Sequence, residues 1–366
     1  MNGSNISKFI KKHEKLRKNG LNLIASENFV SKGISDALSS DLAGRYHSDH
    51  YGGSKYVIKI IKETEELAKT LFDVRYAFIK PISGNICDLN VIFSFTDPGD
   101  HVAMVPIQNG GYPLGIEKFD RYRLDIPVKE NSYDIDVEKM KVLYDNDMPE
   151  LTLLGDSCIP FPYPLNTISE LIPKKQPLVF DGAHVLGLIA TGQFQDPLKE
   201  GVDILIGSTH KSFYGPQGGI ILTNSKEYAD KIRIYQDKEP GIGAGLVNNP
   251  HVNRIAALGI ALEEILEDDQ YGKKVVKNAK TLASSLDDLG VPMRFSNRGY
   301  TESHQIFLDM DTETSEKFCR KLEKENIFID TSGRIGVAEV THRGMDEHDM
   351  EKIAKKIAMI YQNFVN

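Results

Sequence analysis

The sequence predicts an α/β protein with a large domain built on a mostly parallel sheet and a small C-terminal α/β domain. The first observation is that short apolar segments of strand length alternate with helical segments along the middle of the chain. The second is that several of these segments are apolar throughout, which is typical of strands covered by helices on both faces. The third is the length of 366 residues, enough for one large domain and a smaller one.

The predicted strands of the large domain are rich in aliphatic and β-branched residues. They are RYAFIKPI (75–82), HVAMVP (101–106), ELTLLG (150–155), PLVFD (177–181), VDILIG (202–207) and GGIILT (218–223). The segment GNICDLNVIFSF (84–95) follows the first strand and predicts a helix. A longer segment with helical periodicity, residues 251–269, is expected to link the large domain to the C-terminal one.

The last hundred residues repeat the alternation on a smaller scale. The pattern predicts helices at 277–290, 315–325 and 346–364, and strands at 304–310 and 326–330. We therefore expect an N-terminal arm over residues 1–45, a large domain over 46–255 and a small C-terminal domain over 256–366.

Composition excludes several classes of protein. The chain is 40% hydrophobic and 26% charged, which is typical of a folded protein and argues against disorder, and its net charge of −8 argues against a nucleic-acid partner. No apolar stretch approaches the ~20 residues that a membrane helix needs, and the polar, basic N-terminus is not a secretory signal. Cys87, Cys158 and Cys319 lie far apart without a C-x-x-C pair, which predicts a cytoplasmic protein with no structural metal site.

Two charged residues follow predicted strands at the sheet edge where α/β proteins bind ligands. Lys211 lies in STHKSFYGPQGG (208–219), after one strand, and Asp181 ends another strand thirty residues earlier. Alone, the lysine would be an ordinary solvated charge and the aspartate an ordinary helix cap. Together they fit a pyridoxal phosphate enzyme, which needs a lysine for a Schiff base and a carboxylate to keep the pyridine nitrogen protonated.

A third feature fits the phosphate group of that cofactor. Ser83, Gly84 and Asn85 stand at the start of the predicted helix 84–95. Free backbone N–H groups and the helix dipole favour an anion at such a position. An ordinary Ser/Asn helix cap has the same appearance. The phosphate interpretation is favoured because this helix start shares a sheet with Asp181 and Lys211.

Several motifs together resemble one enzyme family. In chain order they are LNLIASENFVS (21–31), YGGSKYV (51–57), SGN (83–85), DGAHVLGLIATG (181–192), STHKSFYGPQGGIIL (208–222), TESHQIFLD (301–309) and TSGRIGVAEVTHRG (331–344). Over nearly the whole chain this series resembles the serine hydroxymethyltransferase family. LIASENFVS and THKSFYGPQGG are the most specific motifs. The resemblance implies a fold-type-I pyridoxal phosphate enzyme that forms a homodimer with shared active sites and acts on a small amino acid.

The resemblance also implies roles for individual residues. It gives Lys211 the internal aldimine and Asp181 the pyridine nitrogen. The other implied cofactor contacts are Ser83, Gly84, Asn85 and Gly241 of the partner subunit at the phosphate, Tyr112 stacked on the ring, Ser157 at the ring oxygen, His184 near the 3′-oxygen and the substrate, and Ser208 and His210 beside the lysine. For the substrate, it implies Ser26 and Arg334 at the carboxylate, and Tyr51.

The chain also departs from the family pattern. The segment LAGRYHSDHYGG (42–53) is short and lacks a glutamate that the family uses in folate-dependent transfer. The run from NIFID (326–330) into TSGR has no pterin-contacting loop, and Gln217 replaces an arginine. We therefore expect cleavage of the Cα–Cβ bond of serine or threonine to depend less on tetrahydrofolate than in the family. The carrier, tetrahydrofolate or a modified pterin, stays open.

Two further points stay open at the level of sequence. The base that takes the β-hydroxyl proton is His184, Asp49 or a water molecule.

The alternative activities are an aminotransferase or a racemase on the same scaffold, which Tyr112 favours because a tyrosine can stack on the ring. A regulatory protein that binds the cofactor without turnover is a third hypothesis, and Lys211 argues against it.

Overall fold

The computed structural model describes residues 4–47, 51–236 and 245–365. The chain divides into two compact units. The large unit comprises Asn28–Gly272, and the small unit comprises Met1–Glu27 with Lys273–Asn366. The helix Val252–Glu267, which spans the expected boundary at residue 255, packs against two other helices of the large unit, Lys32–Leu38 and Lys55–Phe72.

The bounds of the secondary-structure elements are as follows. The α-helices are α1 (Asn5–Asn19), α2 (Lys32–Leu38), α3 (Lys55–Phe72), α4 (Gly84–Phe95), α5 (Val137–Asn146), α6 (Leu165–Leu171), α7 (Leu186–Ala190), α8 (Lys226–Ile234), α9 (Val252–Glu267), α10 (Tyr271–Asp288), α11 (Thr312–Lys324), α12 (Ala338–His342) and α13 (Glu347–Val365). The strands are β1 (Leu21–Asn22), β2 (Tyr76–Phe78), β3 (His101–Met104), β4 (Tyr122–Asp125), β5 (Leu151–Leu154), β6 (Leu178–Asp181), β7 (Ile204–Ser208), β8 (Gly219–Thr223), β9 (Gln305–Phe307), β10 (Ile327–Phe328) and β11 (Arg334–Gly336).

The large unit is built on one sheet of seven strands within the described residues, in the order β2-β8-β7-β6-β5-β3-β4. Strand β8 runs antiparallel to β2 and β7, and every other neighbouring pair is parallel. The central strands are buried at nearly every position, because helices cover both faces. The predicted mostly parallel sheet is confirmed.

Strand β4 is an element that the sequence patterns do not predict. Its residues, YRLD, are half-buried or exposed, and it pairs only with β3 at the edge of the sheet. An edge strand has one neighbour and needs no continuous apolar run, so hydrophobic pattern does not reveal it.

The small unit contains two short strand pairs within its described residues. Strand β1 pairs in parallel with β10, and β11 pairs antiparallel with β9. Helices α11 and α13 pack together through the edge-to-face rings of Phe318 and Tyr361. The unit thus combines N-terminal and C-terminal segments of the chain.

The parallel register determines where polar residues meet. Asp181, the last residue of β6, lies opposite Ile206 of β7, so β7 extends only two residues further, to Ser208. The loops that follow β5, β6 and β7 therefore leave the same edge of the sheet. In the described part of the chain, no helix is both long and apolar enough to cross a membrane.

Candidate active site

Asp181 anchors the centre of the site. Its carboxylate accepts a hydrogen bond of 2.9 Å from the Ala183 backbone N–H, which fixes the turn after β6. Exclusion of solvent raises the pKa of Asp181, and the Lys211 cation acts in the opposite direction. His184 lies in the same turn and is 4% exposed. The turn therefore presents Asp181 and His184 close together.

Lys211 lies in a loop that folds back on itself after β7. The Thr209 N–H donates to the Gly218 carbonyl at 3.1 Å, and the Thr209 hydroxyl donates to the Pro216 carbonyl at 2.7 Å. Burial, with a smaller contribution from the Lys211 charge, lowers the pKa of His210 to about 4. His210 is therefore neutral at pH 7, and Lys211 supplies the positive charge in this loop.

The start of α4 approaches this loop closely. Ser83 caps the helix, accepting a hydrogen bond of 3.2 Å from the Ile86 N–H. A Cβ atom at Gly84 would lie 2.5 Å from the Ser208 hydroxyl, and a Cβ atom at Gly219 would lie 2.5 Å from the Ser83 carbonyl oxygen. Glycine at these two positions lets the helix start sit directly against the ends of β7 and β8. The start of α4, beside the end of β7, favours an anionic group.

Tyr112 and Ser157 reach the site from two loops that are joined to each other. The Tyr112 hydroxyl donates to the Asn85 side-chain oxygen at 3.3 Å, and the Ser157 N–H donates to the Gly110 carbonyl at 2.8 Å. Gly155 has a φ of +123°, and a Cβ atom there would lie 2.3 Å from the Asp181 carbonyl oxygen. Only glycine adopts this φ readily and leaves room for the Asp181 carbonyl, so glycine at position 155 lets the Ser157 loop pack against Asp181.

Asp88 is a site residue that the sequence analysis did not identify. It is 3% exposed on α4, and its Oδ1 has no hydrogen-bond partner among the described residues. Burial raises the pKa of Asp88, the Asp181 charge raises it further, and Lys211 opposes both. The signal available in the sequence was a carboxylate within the apolar helix GNICDLNVIFSF. The two carboxylates thus share one desolvated environment.

Arg254 is a second unpredicted residue. Its guanidinium donates to the Ile79 carbonyl at 2.7 Å and to the Pro250 carbonyl at 3.1 Å. A Cβ atom at Gly218 would lie 2.5 Å from Arg254 Nη1. Burial lowers the pKa of Arg254 to about 10, so it remains charged at neutral pH. Arg254 therefore holds the segment before Ser83 against the glycine turn that follows Lys211.

Two predicted substrate residues belong to the small unit. The segment before Ser26 lies against β11, because the Gly336 N–H donates to the Leu23 carbonyl at 2.8 Å. Arg334 begins β11 and is 9% exposed. Its Nε donates to Asp330 at 2.7 Å. The structure therefore places the Ser26 segment and Arg334 on neighbouring elements of one unit.

Three predicted residues, Tyr51, Gly241 and Asp49, are not among the contacts described so far. Tyr51 belongs to the large unit and is 52% exposed. Its ring centroid is 5.1 Å from that of Tyr46, and both rings line an open groove. Gly241 and Asp49 lie outside the described residues.

The large unit thus offers four groups that fit pyridoxal 5′-phosphate. They are a lysine for the aldehyde, a carboxylate for the ring nitrogen, a capped helix start for the phosphate and a tyrosine for the ring face. Gly84 at the start of α4 and Gly219 at the start of β8 let this helix start lie directly against the two strands.

Comparisons with known proteins support the same interpretation. The family described as serine hydroxymethyltransferase matches residues 1–357. Serine hydroxymethyltransferase from Methanothermobacter marburgensis is 37% identical over 385 residues, covering 97% of this chain and 89% of the relative. The enzyme of that name from Methanocaldococcus jannaschii is 37% identical over 401 residues, covering 98% of this chain and 91% of the relative.

A solved structure is similar along almost the entire chain. L-threonine transaldolase from Pseudomonas fluorescens, crystallised in its internal aldimine state, superposes with a TM-score of 0.90 at 26% identity. The superposition covers 98% of this chain and 87% of that structure. The predicted fold type I and the predicted use of pyridoxal 5′-phosphate are confirmed. This chain belongs to the serine hydroxymethyltransferase family.

Proposed function

We propose that this protein catalyses the reversible cleavage of the Cα–Cβ bond of serine or threonine, which yields glycine and an aldehyde. The observation that carries the proposal is the placement of Asp181 at the end of β6 and of Lys211 after the adjacent parallel strand β7, whose end lies against the start of α4. When bound there, pyridoxal 5′-phosphate supplies the electron sink that the broken bond requires.

The side chains of the large unit hold and tune the cofactor in this proposal. Lys211 would hold the cofactor covalently, because its amine is the group that can condense with an aldehyde. Asp181 keeps the ring nitrogen protonated through a charge-assisted hydrogen bond. The other cofactor contacts that we propose are Ser83, Gly84 and Asn85 at the phosphate, Tyr112 on the ring face, and Ser157, His184, Ser208 and His210 around the ring and the lysine. Gly241 of the partner subunit completes the phosphate contacts.

A proton must leave the β-hydroxyl group as the Cα–Cβ bond breaks. His184, one of the acceptors that the sequence leaves open, is buried in the turn that Asp181 caps, beside the group assigned to the ring nitrogen. His210 carries no positive charge at neutral pH, because burial depresses its pKa to about 4. We assign the proton transfer to His184, and the neutral His210 to a contact with the cofactor.

We assign the substrate carboxylate to Arg334 and Ser26, with Tyr51 as a further substrate contact. A guanidinium suits this role because its planar fork binds a carboxylate through two parallel hydrogen bonds. Asp330 accepts from Arg334 Nε at 2.7 Å and from the Arg334 backbone N–H at 3.2 Å, which fixes the plane of the guanidinium. The support for this assignment is that orientation together with the family motif TSGRIG.

We propose further that cleavage proceeds without tetrahydrofolate. Binding a pterin requires a shaped pocket with a few placed polar groups. The short segment 42–53 and the direct run from Asp330 into Thr331 leave out two segments that would carry such groups. The similar solved structure, L-threonine transaldolase, is named for a reaction of threonine, which supports threonine as a substrate of this protein too.

Turnover assays test the proposal and separate it from its alternatives. The purified protein is incubated with serine and with threonine, each with and without tetrahydrofolate, and glycine and aldehyde are measured. We expect threonine cleavage without folate to equal or exceed folate-dependent cleavage of serine. Strong stimulation of serine turnover by folate would contradict the folate proposal. Keto-acid formation or inversion of alanine would instead identify an aminotransferase or a racemase.

A further inference from the structure

Two side chains contact the backbone at Lys211 and at the residue after it. Asn28 Nδ2 donates to the Lys211 carbonyl at 2.8 Å, and the Tyr271 hydroxyl donates to the Ser212 carbonyl at 2.6 Å. Asn28 Nδ2 also donates to the Tyr271 hydroxyl at 3.3 Å, so the two side chains support each other. We call Asn28 and Tyr271 the lysine clamp. No role described above uses either residue.

The geometry determines which atoms of the clamp donate. The Phe29 N–H donates to Asn28 Oδ1 at 3.0 Å, which turns the amide NH₂ group toward Lys211. Tyr271 is 2% exposed, and its ring meets Tyr214 edge to face at a centroid distance of 4.8 Å. Burial raises the pKa of Tyr271, so its hydroxyl stays protonated and continues to donate.

Ser212 is also held from the other side, by α7. The Gly187 N–H donates to the Ser212 hydroxyl at 3.1 Å, and a Cβ atom at Gly187 would lie 2.3 Å from the Ser212 carbonyl oxygen. Helix α7 follows the turn that Asp181 caps. The backbone of Lys211 is therefore fixed relative to Asp181 by α7 on one side and by the clamp on the other.

We propose that Asn28 and Tyr271 are positioning residues that hold the Lys211 backbone where its amine reaches the aldehyde of pyridoxal 5′-phosphate. This inference rests on the role proposed for Lys211. The clamp donates to the main chain at Lys211 and at Ser212, the residue that bears the amine and the one that follows it. It therefore strengthens the covalent attachment and leaves the noncovalent contacts of the cofactor unchanged.

Two forms of the cofactor distinguish covalent attachment from noncovalent binding. Pyridoxal 5′-phosphate can bond to Lys211, whereas pyridoxamine 5′-phosphate carries an amine in place of the aldehyde and cannot. The dissociation constant of each is measured for the wild type, Asn28→Ala, Tyr271→Phe and the double variant. We expect the constant for pyridoxal 5′-phosphate to rise about 3- to 10-fold in each single variant, as expected for the loss of one hydrogen bond to the main chain at Lys211 or Ser212. The constant for pyridoxamine 5′-phosphate should not change.

Matched control variants remove equivalent bonds elsewhere in the large unit. Asn253 Nδ2 donates to the Leu38 carbonyl at 2.7 Å, so Asn253→Ala removes the same kind of bond as Asn28→Ala. Tyr144→Phe removes a buried hydroxyl that lies 2.7 Å from Thr152 Oγ1. We expect both controls to bind both cofactors like the wild type. The double clamp variant should lose less affinity than the sum of the single losses, because Asn28 and Tyr271 bond to each other.

Equal weakening of both cofactors in the clamp variants would overturn the inference, since it would show a general structural role. Unchanged binding of pyridoxal 5′-phosphate would overturn it as well. Tyr271→Phe loses one oxygen and keeps the ring packing, so it remains folded for the measurement. If borohydride reduction of the wild type labels no pyridoxyl group on Lys211, the proposed function itself fails, and the inference fails with it.

Discussion

The charge of Asp181 can be removed without disturbing the turn that carries it. In Asp181→Asn the side-chain oxygen still accepts the Ala183 N–H, which the aspartate accepts at 2.9 Å, so His184 keeps its place. What disappears is the negative charge that faces the ring nitrogen in the proposed complex. A hydrogen bond to a charged group contributes about 1.5–3 kcal/mol, which corresponds to roughly 10- to 150-fold in affinity.

We therefore expect Asp181→Asn to weaken the binding of pyridoxal 5′-phosphate by about 10- to 150-fold and to reduce turnover at saturating cofactor. The thermal stability of the apoprotein should not fall, because the desolvated carboxylate is unfavourable in the absence of the cofactor, as its raised pKa indicates. The assays are a cofactor titration of the apoprotein, threonine turnover and apoprotein melting.

The matched control for this variant is Asp203→Asn. Asp203 is a carboxylate beside the same sheet that also accepts a backbone N–H, from Leu178 at 2.9 Å, and burial raises its pKa too. It stands just before β7, whereas the site lies after that strand. Asp203→Asn should leave cofactor affinity unchanged. If Asp181→Asn retains normal affinity and turnover, or if both variants lose affinity equally, the role of Asp181 is wrong.

Three further predictions concern substrate binding, pH and assembly. Arg334→Lys keeps the charge but loses the fork that Asp330 orients, so KM for the amino acid should rise about tenfold or more while cofactor affinity stays normal; an unchanged KM would assign the carboxylate to another residue. The raised pKa values of Asp88 and Asp181 mean that these two groups bind more protons in the folded apoprotein than in the unfolded chain, so their contribution to the free energy of unfolding should fall as the pH rises above about 4, the ordinary aspartate range. Asp88→Asn removes part of this contribution, so denaturant unfolding at several pH values should show the variant gaining stability relative to the wild type as the pH rises; a difference that does not change with pH would refute the assignment. We also expect a homodimer, and a fully active monomer in sedimentation at assay concentration would contradict shared active sites.

The strands and helices around the site were predictable because their signals are local. The helix predicted at 84–95 is α4 with the same bounds, and the apolar runs that end at Asp181 and Gly207 are β6 and β7. Strands buried on both faces leave continuous apolar runs in the sequence. Parallel pairing then brings the residues after these strands to one edge, which is why Asp181 and Lys211 could be paired from sequence alone.

Other parts of the site depend on contacts between distant segments. Asn28 bonds to a carbonyl 183 residues away, and to a tyrosine 243 residues away. Arg254 reaches the Ile79 carbonyl across 175 residues. No local pattern marks an asparagine or an arginine for such a bond, because the partner is a backbone carbonyl, which every residue carries.

By itself, the sequence determined the type of fold, the family and the lysine, aspartate and helix start that suit pyridoxal 5′-phosphate. Each of these follows from residue type and short-range spacing. Only the tertiary structure decided that Asp88 shares a desolvated environment with Asp181, that Asp330 orients Arg334, and that Asn28 and Tyr271 hold the backbone at Lys211. The physical reason is that burial, charge coupling and hydrogen bonds to the main chain arise when separate segments pack, and a linear pattern does not record that packing.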